Sequence, residues 1–267
     1  MTAAPPREIR PFGLVHWQGF FTLFRREMGR YLKDWVETIL ASAFSTLLYM
    51  LVFALALGPD RSTPEGAQAV AYVLPGLVLF SILTRAGETP VFSIVLDKLE
   101  GMISDILTPP IAPHEIAAAY ALAGMLSGLM TGVPVIAVAI LGLDMPVHNL
   151  LGFAYFAILG ALILALTGMI VGQWAEKWDH VSAFFGFFFI PLTFLSGLFA
   201  PVEKLPLPAQ WLVLANPVHY VIDGFRGVTL GVHFVPIWLN AVIVAVTAIS
   251  LWAVSTYLLA RGWRIKS

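Results

Sequence analysis

Cysteine is absent from this chain of 267 residues, and charge is scarce: Asp, Glu, Lys and Arg together make up 12% of it. Without cysteine there can be no disulfide and no thiolate metal ligand, and the redox compartment stays open. A soluble domain carries roughly 25% charged residues, so half that density argues against a surface that meets water all round. The formal net charge is -1 and the pI is near 6.6. Nothing in that balance suggests nucleic acid, which is not an expected partner.

Catalytic signatures are missing as well. No G-x-x-x-x-G-K-[ST] string occurs, so the chain has no P-loop with which to hydrolyse ATP. No H-E-x-x-H occurs, and the six histidines are scattered without metal-ligand spacing. The nearest approach to a serine-protease turn, Phe194-Leu195-Ser196-Gly197, lacks its first glycine. No cofactor is expected in this chain. The first thirteen residues are polar and hold Pro5, Pro6 and Pro11, so no cleavable leader is expected, and the first apolar span serves as its own insertion signal.

What the chain has in quantity is apolar sequence: 59% hydrophobic residues and a mean hydropathy of +0.85. Six apolar spans are predicted, at about residues 35–58, 69–98, 115–143, 149–174, 181–199 and 234–260. A helix of about 24 residues reaches roughly 36 Å, enough to cross a hydrocarbon core of about 30 Å with some tilt. The expected fold is an all-α membrane protein with six transmembrane helices, residues 1–267 forming one domain. Lys and Arg place it in the bilayer. Twelve of the fifteen fall in the N-terminal segment, the even-numbered connections and the tail. That bias predicts that both termini are cytoplasmic.

Four segments stand out from the spans. Residues 14–33 put Trp17, Phe20, Phe21, Phe24, Met28 and Tyr31 at spacings of three and four, with Arg25, Arg26, Arg30 and Lys33 among the residues opposite. That pattern predicts an amphipathic helix in the headgroup plane; a helix resting on a soluble partner is the alternative. The connection at residues 99–108 reads as a short helix, with Gly101 breaking the preceding span and Pro109, Pro110 and Pro113 stiffening the return. It is either a device that relays force from a cytoplasmic partner or an ordinary tight loop. Its residues are Glu100, Gly101, Met102, Ile103, Ser104, Asp105, Ile106 and Leu107.

Residues 200–232 are too apolar for a solvated loop, yet Pro201, Pro206, Pro208 and Pro217 forbid one continuous span. Irregular backbone at membrane depth must be buried or line a cavity. The segment therefore reads as a re-entrant external hairpin of two short helices, about 208–215 and 217–227, before the last span; a surface loop is the alternative. Trp211 and Tyr220 fall in it, and Asp223 and Arg226, three apart, are placed to pair. In the fifth span Phe185, Phe188 and Phe189 belong to an aromatic run around Pro191. They line a substrate path or pack on neighbouring helices. Arg85 and Glu88 inside the second span are candidates for a functional site, as intramembrane charges are; pairing and snorkelling near the cytoplasmic interface is the simpler explanation.

The order of these parts resembles the permease subunit of ABC-2 type transporters, of the nodulation-factor, polysaccharide and drug export branch. The stretch Asp97-Lys98-Leu99-Glu100-Gly101 through Leu107 and Pro109 is similar to the charged run before that family's coupling helix. Phe194-Leu195-Ser196-Gly197-Leu198-Phe199-Ala200-Pro201, with Leu205-Pro206 and Asn216-Pro217, is similar to the entry into its external cap. Arg85 with Glu88 has no place in that pattern. The resemblance implies a multi-pass protein of the bacterial inner membrane, a homodimer with two copies of a cytoplasmic ABC ATPase, and ATP and Mg bound by that partner. It implies export of an amphiphile: a lipid-linked glycan, a lipid or a hydrophobic drug. An ion-gradient-driven secondary transporter or a channel is the rival reading. It would want repeated halves and a charged site near the bilayer midplane.

Overall fold

The computed structural model describes residues 16–56, 64–103, 111–199 and 201–262. The described residues are helical with short connections and no strand. Helix α1 is Trp17–Lys33. Helix α2 begins as a π-helical stretch, Val36–Ala41, and continues as Ser42–Ala56. Then come α3 Pro64–Leu99, α4 Pro113–Leu143, α5 Leu150–Trp174 and α6, which runs from Trp178–Phe184 through the π-helical Phe185–Phe189 to Ile190–Phe194. A 3-10 turn, Val202–Lys204, leads to α7 Leu207–Ala215, α8 Pro217–Leu230 and α9 Ile237–Ala260.

Five of these helices are long and apolar enough to cross a membrane: those holding Val36–Phe53, Val70–Leu99, Pro113–Leu143, Leu150–Trp174 and Ile237–Ala260. The fifth predicted span, 181–199, is shorter as a helix than its apolar run. Residues 178–194 are helical, about 26 Å at 1.5 Å per residue, and the helix ends where Gly197 takes a left-handed φ of 82°. Pro191 lacks the N–H that an α-helix needs, and the π-helical turn just before it absorbs the mismatch.

Helix α3 is the centre of the bundle, with α4 and α5 against it. Small residues allow this. A Cβ on Gly168 of α5 would collide with the carbonyl oxygen of Gly87 in α3, so the two backbones touch. On α4, Gly124, Gly128 and Gly132 recur every fourth residue and meet Ile82, Ala86 and Pro90 of α3. Close backbone approach of this kind holds helices together where lipid offers no hydrophobic contrast. Ile82, Leu83, Phe156, Leu164, Ile222 and Phe225 fill the main core. The outer faces of α2 and α9 stay apolar and exposed, as at Phe44, Leu48, Leu55, Trp238, Val242 and Ile249.

The bundle has two distinct ends. At one, α1 lies beside the C-terminal ends of α3, α5 and α9 and the start of α4: Leu23, Ile94, Ile116, Tyr120, Met169 and Leu259 form one cluster. At the other, α8 is buried against the N-terminal ends of α3, α5 and α9. The two short helices expected at 208–215 and 217–227 are both present, the second running one turn further, to Leu230 and a left-handed Gly231.

Candidate functional site

At the α1 end, three elements meet at one carboxylate. Asp97, fully buried near the end of α3, accepts from Arg26 Nη2 with both oxygens at 2.5 Å and from Arg30 Nη2 at 2.9 Å. The Tyr120 hydroxyl of α4 donates to it at 3.2 Å. Arg30 also donates to the Ser93 hydroxyl at 2.8 Å, and Ser93 in turn donates to Glu27. The sequence pattern put Arg25, Arg26 and Arg30 together on a solvated basic face. Arg25 is exposed, but Arg26 and Arg30 turn inward, because the buried Asp97 needs paired charge. Burial pushes the Glu27 carboxyl above its usual range, opposed by the Ser93 hydrogen bond and by Arg30 and Arg26. Tyr31 ties the same helix to α4 through the Ser127 carbonyl at 3.0 Å and Thr131 Oγ1 at 2.8 Å.

The connection predicted to relay force leaves α3 at this end. Gly101 has a φ of 73° and turns the chain. Glu100 and Met102 are exposed, while Ile103 packs on the cluster of Leu23, Ile116 and Leu259. Ser104, Asp105, Ile106 and Leu107 lie outside the described residues. The chain re-enters at Ile111, which joins the same cluster. Glu115 then fastens the start of α4 to the start of α1, accepting from Ala112 N at 2.9 Å and His16 N at 2.5 Å. Lys98 donates to the carbonyls of Gln173 and Ala175, capping the end of α5.

At the opposite end, Asp223 and Arg226 do not pair with each other; each is satisfied separately. Asp223 accepts from the backbone N–H groups of Phe234 and Val235 at 2.8 and 2.9 Å and from Asn240 Nδ2 at 2.8 Å. It thereby pins the link between α8 and α9. Arg226 donates to the carbonyls of Gly197 and Leu198, and to the Tyr72 hydroxyl at 2.8 Å, with its guanidinium 3.7 Å from the Tyr72 ring. Burial pulls the Arg226 pKa down, against Tyr72, Asp223 and Glu203, which favour the cation. His219 is buried and its pKa lowered by that burial. Its Nδ1, 2.9 Å from the Ser196 carbonyl, carries the proton, and Nε2 has no partner among the described residues.

The remaining predicted residues do not converge. Trp211 is 72% exposed on α7, whereas the Tyr220 hydroxyl donates to the Leu214 carbonyl at 2.7 Å. Phe188 is exposed, Phe185 half-buried and Phe189 buried, so the three point to different faces of α6. Arg85 and Glu88 do pair, at 3.5 Å, and Arg85 also donates to Ser42 of α2. Sequence reasoning missed Glu27, Ser93, Asp97 and Tyr120 at one end and Tyr72, His219 and Asn240 at the other. The one local signal was Glu27, an acid between Arg26 and Arg30.

A profile of the ABC-2 type transporter family matches residues 18–230, from α1 to the end of α8. The chain belongs to the ABC-2 type transporter permease family. The inner membrane transport permease YadH of Escherichia coli K12 is 28% identical over 253 residues, covering 95% of this chain and 99% of that protein. Nodulation protein J of Rhizobium leguminosarum bv. viciae is 25% identical over 258 residues, 94% of this chain and 96% of its own length. The probable multidrug ABC transporter permease YbhR of Escherichia coli K12 is 24% identical over 192 residues, 68% of this chain and 51% of that protein. This ABC-2 permease is thus a multi-pass membrane protein built for transport.

Proposed function

We propose that the chain is the membrane subunit of an ATP-driven exporter, with two copies of it paired and a cytoplasmic ATPase subunit docked on each. The observation that carries the reading is the tied end of the bundle. Asp97 joins α1, α3 and α4, and Ile103 of the connection packs in the cluster that α1, α4, α5 and α9 share. A push on that connection moves five helices rather than one loop. The α1 end faces the cytoplasm, in keeping with the Lys and Arg bias. The short α6 completes six crossings, and α7 and α8 form an external cap that dips into the outer leaflet. ATP and Mg are held by the partner, since this chain has no P-loop. The cargo is an amphiphile, a lipid-linked glycan, lipid or hydrophobic drug, a range with which the multidrug name of YbhR agrees.

The test is co-expression with ATPase subunits from the same source, reading subunit ratio and ATP hydrolysis in detergent and in vesicles. An equimolar complex is expected. Glu100→Lys and Ile103→Pro should leave assembly intact and uncouple hydrolysis from transport by about tenfold or more. Absence of any complex, with solute movement driven by an ion gradient alone, would overturn the reading in favour of a secondary transporter.

A further inference from the structure

A cavity of about 320 Å³ opens between α1, α2, α3 and the start of α6. Its charged lining residues are Glu27, Arg30, Asp34, Glu37 and Arg85, and its aromatic ones are Tyr31, Phe92 and Trp178. The two cations are already engaged. Arg30 is bound to Asp97 at 2.9 Å, and Arg85 stands 3.5 Å from Glu88. Two of the three carboxylates are not. Among the described residues, Asp34 and Glu37 have no cationic side chain within 4.0 Å. Glu27 is 2% exposed, yet its Oε1 receives no hydrogen bond; the nearest cation, Arg26 Nε, is 3.7 Å away. Phe92 and Trp178, half-exposed with ring centroids 5.3 Å apart, line the same cavity as these acids.

Unpaired carboxylates next to aromatic faces are the chemistry that receives an ammonium group. The volume suits a headgroup rather than a whole amphiphile. Arg85 Nε, buried and without a hydrogen-bond partner, adds a donor for an oxygen on the same headgroup. We infer that this cavity is a portal for the ammonium headgroup of a cationic amphiphile, held by Asp34 and Glu37 against Trp178 and Phe92. The inference rests on the transport reading above and names the class of cargo or lipid that this end of the bundle admits.

Radiolabelled decyltrimethylammonium, bound at equilibrium to the permease co-purified with its ATPase, tests it. Saturable binding is expected, displaced by decylammonium and not by decyl sulfate. The double variant Asp34→Asn/Glu37→Gln should weaken it by roughly tenfold or more, and Trp178→Ala by roughly three- to tenfold. Glu203→Gln, in the turn before α7 at the other end of the bundle, should leave it unchanged. Displacement by phosphatidylethanolamine would identify the ammonium as that of a membrane lipid; its failure would identify a transported amine. Unchanged affinity in the double variant, or equal displacement by decyl sulfate, would overturn the site. Co-elution of the ATPase is scored in the same samples, so loss of the complex with binding retained strikes the transport reading alone.

Discussion

Removing the Asp97 carboxylate would strand two guanidiniums at once, since Arg26 and Arg30 both end on it. Deleting one partner of a buried ion pair costs about 3 kcal/mol, because the other charge is left uncompensated. Asp97→Ala should therefore lower the melting temperature in detergent clearly, and Asp97→Asn, which keeps acceptor capacity, by less. A wild-type melting curve for Asp97→Ala would show that α1 is not held this way. Glu27 gives the same end a pH dependence. Its folded pKa lies above the ordinary value near 4.5, chiefly through burial. The folded chain thus keeps a proton that the unfolded chain releases. Stability falls as pH rises from near 4.5 through the raised folded value. Glu27→Gln, still able to accept from Ser93, should flatten that part of the melting-temperature profile. Apart from Glu27, an acid set between Arg26 and Arg30, little of this was legible in the sequence. Asp97 stood out only as part of the charged run ahead of the connection, because its partners on α1 lie 67 and 71 residues away and no local pattern reports on them.

Elements were far more legible than contacts. Apolar runs and prolines are local signals, so α3, α4, α5 and α9 and the break into α7 and α8 follow from the chain alone. The fifth run misled by length: Phe194 to Phe199 is apolar, but Gly197 turns the backbone there and the helix is already over. The glycines give a sharper test of how the elements fit. Gly168 meets the backbone of Gly87, which cannot swing aside as a side chain can. Gly168→Ala should destabilise by about 1–3 kcal/mol, the usual cost of overpacking, and Gly168→Leu should abolish the monodisperse folded fraction on size exclusion. Gly29, with nothing near its missing Cβ, is the control: Gly29→Ala should leave the melting temperature unchanged or slightly raised, as helix propensity favours alanine. Equal behaviour of Gly168→Ala and Gly29→Ala would contradict the close α3–α5 approach.

For the whole molecule, the decisive quantity is which end of the bundle meets which compartment. The structure sets Glu100 with the α1 end and Trp211 with the α7 end. The Lys and Arg bias orients them. The natural chain has no cysteine, so single cysteines can be introduced without a background to remove. Both sites are exposed, Trp211 at 72%, and neither side chain has a hydrogen-bond partner among the described residues to lose. In intact cells a membrane-impermeant maleimide should label Trp211→Cys and spare Glu100→Cys until the membrane is opened. Labelling of Trp211→Cys should also be slowed relative to a soluble thiol, since Leu207 and Leu212 on the same exposed helix draw α7 towards lipid. Labelling of both from outside would mean that the two ends share a compartment, which helices running in alternate directions through one bundle cannot satisfy in a bilayer. Labelling of Glu100→Cys alone would invert the orientation, and the exposed connection around Glu100 would then have no access to a cytoplasmic ATPase.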